Sequence, residues 1–167
     1  MTDTEAIQNQ APPRASRFWR YAPVVLWLGL IFFASTNAFS ASNTATLIQP
    51  LLRWFFPHIS DERVRFFHFL VRKAGHFTEY AVLALLVARA FRASSHAFLR
   101  RGWFLAALLV VSVYALSDEY HQSFVASRTA SIYDSMIDTA GGLTALALYA
   151  PTRARKKKRV SEKPDED

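Results

Sequence analysis

The sequence predicts an all-α fold: a polytopic membrane protein with four transmembrane helices, cytoplasmic N- and C-termini, and an interfacial helical segment between spans one and two. Two observations carry this. The chain is 51% hydrophobic and 14% aromatic, and its apolar residues are bunched into runs instead of being spread as in a soluble core. Its formal charge of +7 is concentrated at the ends of those runs. The densest cluster, "RARKKKRVSEKPDED" from Arg153, follows directly on an apolar stretch, the position of a cytoplasmic tail drawn to anionic lipid. That placement argues against nucleic acid as the partner of the basic charge. A length of 167 residues suits one compact domain. Cysteine is absent, which excludes disulfides, cysteine zinc sites and a thiol nucleophile.

Residues 1–17 are polar, contain Pro12 and Pro13, and are expected to be a disordered cytoplasmic N-terminus. The membrane domain is expected over 18–151. Its first span, about 21–39, is the run "YAPVVLWLGLIFFAS" behind the basic flank "RFWR". A cleaved signal peptide is the rival reading of this run. The run is long for such a segment and three spans follow it, so an uncleaved helix is favoured. Residues 40–60 mix polar, aromatic and proline positions. They read as an interfacial loop with short helical pieces, its Trp54, Phe55 and Phe56 at headgroup level. Ser60 reads as an N-cap, with Asp61 and Glu62 in the first turn of a long helix reaching about Phe91. Within that helix the second span is about 73–92. A basic turn leads to the third span, about 103–120, which ends near "DEYHQSF", and the fourth runs over about 132–150. Pro151 follows, and 152–167 is a basic cytoplasmic tail.

Lysine and arginine set the orientation. With the N-terminus inside, Arg53, Arg63, Arg65, Arg72, Lys73 and Arg128 fall outside and all the others inside. The head of span two, the tail of span three and the head of span four then share the outer surface. These places hold Lys73, His76, Glu79, Tyr80, Asp118, Glu119, Gln122, Arg128, Asp134 and Asp138. Ionisable groups at membrane depth face the bundle interior and pair with one another. On span two, Arg72, Lys73, Glu79 and Tyr80 lie within about 60° of the direction of His76, forming one polar sector. Arg72 and Lys73 also read as ordinary anchors snorkelling to headgroups, whereas His76 and Glu79 do not. On span three, Asp118 and Gln122 share a face while Glu119 and His121 point elsewhere; if the helix has already ended, the two acids are simply solvated. On span four, Ser131 and Asp134 have capping-box spacing. Asp138 lies one turn deeper, and two carboxylates at i and i+4 repel unless a cation intervenes. Lys73, His76 and Arg128 are the partners in reach. Ala140, Gly141, Gly142, Thr144 and Ala145 beyond them favour close helix packing.

The blocks "VRKAGHFTEYAVLALL" and "SDEYHQSFVASRTASIYDSMIDTAGG" together resemble the VanZ-like family of small bacterial membrane proteins. The first carries the family's Lys73, His76 and Tyr80 spacing. The second carries its Asp118, Glu119, Gln122, Arg128, Asp134, Asp138 and Gly141. The match covers roughly 61–150, and the first span only by hydropathy. The chain departs from the pattern at Ala126 and Ser127, where the family often has a Pro-Gly turn. The resemblance implies a multi-pass protein of the bacterial cytoplasmic membrane with an extracytoplasmic functional face. It also implies a setting in the cell envelope, through the namesake's association with resistance to the glycopeptide teicoplanin.

Three functions stay open at this point. In the first, the outer polar site binds membrane lipid: a headgroup, a lipid-linked cell-wall precursor, or the glycopeptide itself, with Arg128 clasping phosphate or carboxylate. The second is a membrane-embedded hydrolase or transferase, with His76 as acid or base, Glu119 or Asp118 orienting it, and Lys73 or Arg128 stabilising charge. The third is a structural ion network without a ligand. There is no GxSxG motif and no cofactor motif, and no cofactor is expected. No metal is assigned, because HExxH and paired-histidine spacings are absent; a metal version would use His76, Glu119 and Asp134 or Asp138. Nucleic acid is not an expected partner, and the sequence specifies no oligomeric state.

Overall fold

The computed structural model describes residues 14–36, 41–125 and 131–161. Among these residues all regular structure is helical, without a strand. Helix α1 spans Arg14–Ala34, α2 Ala41–Phe55, α3 Asp61–Arg92, α4 Ala97–Arg101, α5 Trp103–Gln122 and α6 Ile132–Ser161.

Local chemistry accounts for the start of the longest helix. Ser60 has extended backbone, and its side chain accepts a hydrogen bond from the Arg63 amide at 3.4 Å. Asp61 and Glu62 occupy the first turn of α3, and Arg89 and Arg92 the last, so both ends complement the helix dipole. Three other boundaries differ from the sequence expectation, two of them at a proline. Residues 41–55 form one amphipathic helix through Pro50, not a loop with short pieces. Helix α1 begins at Arg14 and runs through Pro23. Helix α6 continues through Pro151 to Ser161 instead of stopping at 150. Prolines inside helices are commoner in membrane-spanning helices than in soluble ones, because neighbouring groups satisfy the backbone that the ring leaves unpaired. The expected end of the first span at 39 lies outside the described residues.

Helix α3 is the hub. It contacts α1, α2, α4, α5 and α6, and most extensively α6. The buried core at these crossings is built from modest side chains: Leu83, Ala84, Val87 and Ala88 of α3, Ala107, Val111 and Ala115 of α5, and Leu146 of α6. Gly141 permits the closest approach. A Cβ there would sit 2.2 Å from the Phe77 carbonyl oxygen. At Gly142 a Cβ would meet Val111 Cγ1 at 2.7 Å. Small residues that let backbones approach are the mode of helix association favoured in lipid.

The large apolar side chains point outward. Along α5, Leu105, Leu109, Val113, Leu116 and Tyr120 are all exposed and recur at helical spacing. Val25, Leu26, Phe32 and Phe33 are exposed on α1. Among the described residues, α5 is long and apolar enough to cross a membrane, and Phe18–Ala34 is a shorter apolar stretch.

Candidate functional site

The polar residues gather at one end of the bundle. That end is made by the last turn of α1, the first half of α3, the last turns of α5 and the first turns of α6. The opposite end is aromatic and basic. There the Arg92 guanidinium lies 5.1 Å from the Trp103 ring centroid and 5.4 Å from that of Tyr149.

At the polar end each acid of α6 meets a basic side chain of α3. Lys73 Nζ donates to Asp134 Oδ1. His76 Nδ1 lies 3.7 Å from Asp138 Oδ1. Lys73 offsets the charge of Asp134, and His76 can offset that of Asp138 only when it is protonated. Asp134 therefore does not complete a capping box. The Ser131 amide instead donates to Glu119 Oε2 at 2.7 Å, and the Ser131 hydroxyl accepts from the Tyr133 amide at 3.3 Å.

Helix α5 does not end before its acids. Asp118, Glu119 and Gln122 all lie inside it and are buried. Solvation therefore does not account for Asp118 and Glu119. Glu119 does not point away from the bundle either, since its bond to Ser131 ties α5 to α6. Gln122 Nε2 donates to Asp118 Oδ2 at 2.8 Å and to Ser35 Oγ, just past α1, at 3.4 Å. The carboxylate that meets His76 is Asp138 and not Glu119. His121 stacks on Phe32, with ring centroids 4.5 Å apart. Tyr80 is fully buried beside Tyr114, while Arg128 lies outside the described residues.

Asp138 is 0% exposed, and neither of its carboxylate oxygens has a hydrogen-bond partner among the described residues. The same holds for Tyr80 Oη, Ser135 Oγ and Glu119 Oε1. His76, Asp118 and Asp138 each present one ligand atom, and the three atoms lie within 4.8 Å of one another. Two ionised carboxylates at that separation repel by roughly 3–4 kcal/mol at an effective dielectric of about 20. So many unsatisfied buried polar atoms in one place is not how a purely structural network is built.

A cavity of ≈ 170 Å³ opens on the other side of His76, between α3 and the ends of α1 and α2. Arg72, His76 and Glu79 line it, with Thr44, Gly75 and Ile48. The buried Nη1 of Arg72 has no hydrogen-bond partner among the described residues. Burial lowers the Arg72 pKa, and the Asp134 carboxylate opposes that shift. An arginine nevertheless stays charged at neutral pH. Arg72, read from the sequence as a snorkelling anchor, lines this cavity with part of its guanidinium buried. A larger hollow, at the α2–α3 turn, is lined by Phe55, Phe56, Phe67 and their neighbours and shares no residue with the polar end.

The sequence missed Arg72, Ser35 and Ser135 as members of this site. Ser135 was findable, because it lies three residues before Asp138 on the same face. Ser35 was not, because only the fold brings it to Gln122.

The comparisons with known proteins yield one match. The VanZ/LLP1 family model matches residues 19–153. Among curated proteins and among solved structures, none matches the chain significantly.

Proposed function

The chain belongs to the VanZ/LLP1 family, and on that premise we propose that it is a multi-pass protein of the bacterial cytoplasmic membrane whose outward polar site binds a phosphate-bearing lipid headgroup. In this reading the chain crosses the membrane four times with both termini in the cytoplasm. The family and the apolar α5 point to a membrane protein. The outward apolar stripe of α5 supports a lipid-facing surface. The lysine and arginine count supports the orientation.

One observation carries the headgroup reading: Arg72 lines a cavity shared with His76 and Glu79, and its buried Nη1 has no hydrogen-bond partner among the described residues. A guanidinium lining such a cavity is suited to a phosphate oxygen. Glu79 on the same wall suits an amine, so a headgroup carrying both phosphate and amine matches the lining. A volume of ≈ 170 Å³ is below the range that encloses a drug-sized ligand. The cavity thus favours a headgroup or the phosphate of a lipid-linked cell-wall precursor over a whole glycopeptide. A role in teicoplanin-type resistance or envelope homeostasis would follow from holding such a lipid at the outer surface, where glycopeptides act.

The test is retention of labelled lipid by the full chain in nanodiscs. Phospholipid with a phosphate and amine headgroup should be retained, and diacylglycerol, which lacks both, should not. Arg72→Gln should reduce retention about tenfold, the value of one charge-assisted hydrogen bond. Equal retention of the two lipids would end the reading. A periplasm-active reporter should be active after Ser127 and silent after Val160; the opposite pattern would overturn the orientation.

A second reading, a hydrolase or transferase with His76 as acid or base, is favoured by the approach of His76 Nδ1 to Asp138 Oδ1. It requires headgroup turnover by the purified protein, lost in His76→Asn while lipid retention survives.

A further inference from the structure

We propose that His76, Asp118 and Asp138 form a binding site for a single divalent transition-metal ion, of the zinc or manganese class.

The three residues come from three helices, α3, α5 and α6, which is why no sequence spacing announces them. Their ligand atoms lie within 4.8 Å of one another. Two ligands on a tetrahedral ion with bonds of about 2.1 Å stand about 3.4 Å apart. The His76 Nδ1 to Asp138 Oδ1 distance of 3.7 Å is near that value and too long for a hydrogen bond. Closure by a few tenths of an ångström would bring this pair onto one ion.

Asp138 supplies an independent observation. Its side chain is fully buried, and both oxygens lack a hydrogen-bond partner among the described residues. A buried carboxylate is normally hydrogen-bonded, paired or coordinated to a metal. Here His76 Nδ1 approaches to 3.7 Å, too far for a hydrogen bond, and both oxygens stay without one among the described residues. Lys73 is engaged by Asp134, and among the described residues neither Asp118 nor Asp138 lies within ion-pair distance of a lysine or arginine. Two buried carboxylates and a neutral imidazole carry the charge that one divalent cation balances.

The surroundings match a metal site in a further respect. Gln122 Nε2 holds Asp118 Oδ2 at 2.8 Å, and Ser35 backs Gln122 in turn. Hydrogen bonds that orient ligating carboxylates are characteristic of metal centres. One imidazole with two carboxylates suits zinc, manganese or iron better than calcium or copper(I). Three protein ligands also leave coordination positions open, as in metal sites that engage an exogenous group. His76 is shared with the Arg72 cavity, so a phosphate oxygen held there would lie next to the ion. That last clause rests on the headgroup reading; the metal assignment does not.

The experiment uses the full chain in nanodiscs, stripped with chelator, in buffer without phosphate. Manganese is titrated and followed by electron paramagnetic resonance, with zinc as competitor. The expected result is one manganese ion per chain, displaced by one zinc. Asp138→Asn and His76→Gln should each weaken binding by more than about 100-fold, and Gln122→Leu by about tenfold. Asp61→Asn, an exposed acid paired with Arg53, should bind as the wild type does. Thermal melting gives a second readout on the same samples: zinc should raise the wild-type Tm and leave that of Asp138→Asn unchanged. The proposal is overturned if the stripped wild type takes up no manganese or zinc. It is equally overturned if folded Asp138→Asn and His76→Gln bind as well as the wild type. Lipid retention is measured separately. Metal uptake without headgroup retention would end the headgroup reading alone, and retention without uptake would end the metal site alone.

Discussion

At one end of the bundle Arg92 lies against Trp103 and Tyr149, and the two rings meet edge to face with centroids 5.7 Å apart. At the other end the same three long helices bring together Lys73, His76, Asp118, Glu119, Asp134 and Asp138. Both ends hold charge near the helix termini, but they use it differently. The aromatic end gives its cation two ring faces. The polar end buries Asp118, Glu119 and Asp138, and leaves carboxylate oxygens of Glu119 and Asp138 without hydrogen bonds among the described residues. A structural anchor has its polar groups satisfied, whereas a binding site holds some of them open. The difference between the ends therefore teaches which one is organised around something else.

The largest predicted effect concerns what holds the polar end together. Gly141→Ala would drive a Cβ into the Phe77 backbone of α3. Helix α6 would have to move away, which would separate both cross-helix charge pairs. A loss of about 3 kcal/mol, at the upper end of overpacking costs, is expected in detergent melts. Gly142→Ala, which meets the Val111 side chain instead, should cost less. Equal costs would mean that the α3–α6 approach is not set at Gly141. Next comes Lys73→Met, which strands Asp134 in a half-buried position. It should cost about 2 kcal/mol, below the range for fully buried pairs. Lys73→Met with Asp134→Asn should recover most of this in a double-mutant cycle. At the aromatic end, Arg92→Gln should cost about 1 kcal/mol, the worth of a cation–π contact, and leave ligand binding intact.

The smallest effect is a pH dependence at His68, whose Nε2 is 2.9 Å from Thr44 Oγ1. Burial, then the charge of Arg72, lowers its pKa in the folded state. The folded chain thus binds fewer protons there than the unfolded one. The stability contribution is unaffected above the ordinary histidine value of about 6.5 and declines as pH falls through it. His68→Gln should flatten the change in Tm between pH 7.5 and 5.5, and an unaltered slope would assign it to other groups.

Much of the polar end was legible in the sequence. Charge counting grouped three helix ends on one side, and they meet at one end of the bundle; helical spacing put Lys73, His76 and Tyr80 in one sector. The need of Asp134 and Asp138 for basic partners followed from their i, i+4 spacing, and Lys73 and His76 meet it. Ser60 as the start of α3 followed from capping chemistry. What was not legible depended on surroundings. Pro50 and Pro151 read as breaks because a sequence does not reveal which neighbours will satisfy the freed backbone. Glu119 replaced Asp134 at the Ser131 amide because the fold brings the two helix ends together. Arg72 looked like an anchor because its cavity is completed by residues of α1 and α2.

The most direct measurement is native mass spectrometry of the full chain, comparing His76→Asn at the polar end with Arg92→Gln at the aromatic end. If the polar end is the ligand site, the wild type and Arg92→Gln carry the added mass of a phosphate-bearing lipid and His76→Asn does not. If both folded variants keep that mass, or both lose it alike, His76 does not hold the lipid and the central claim fails.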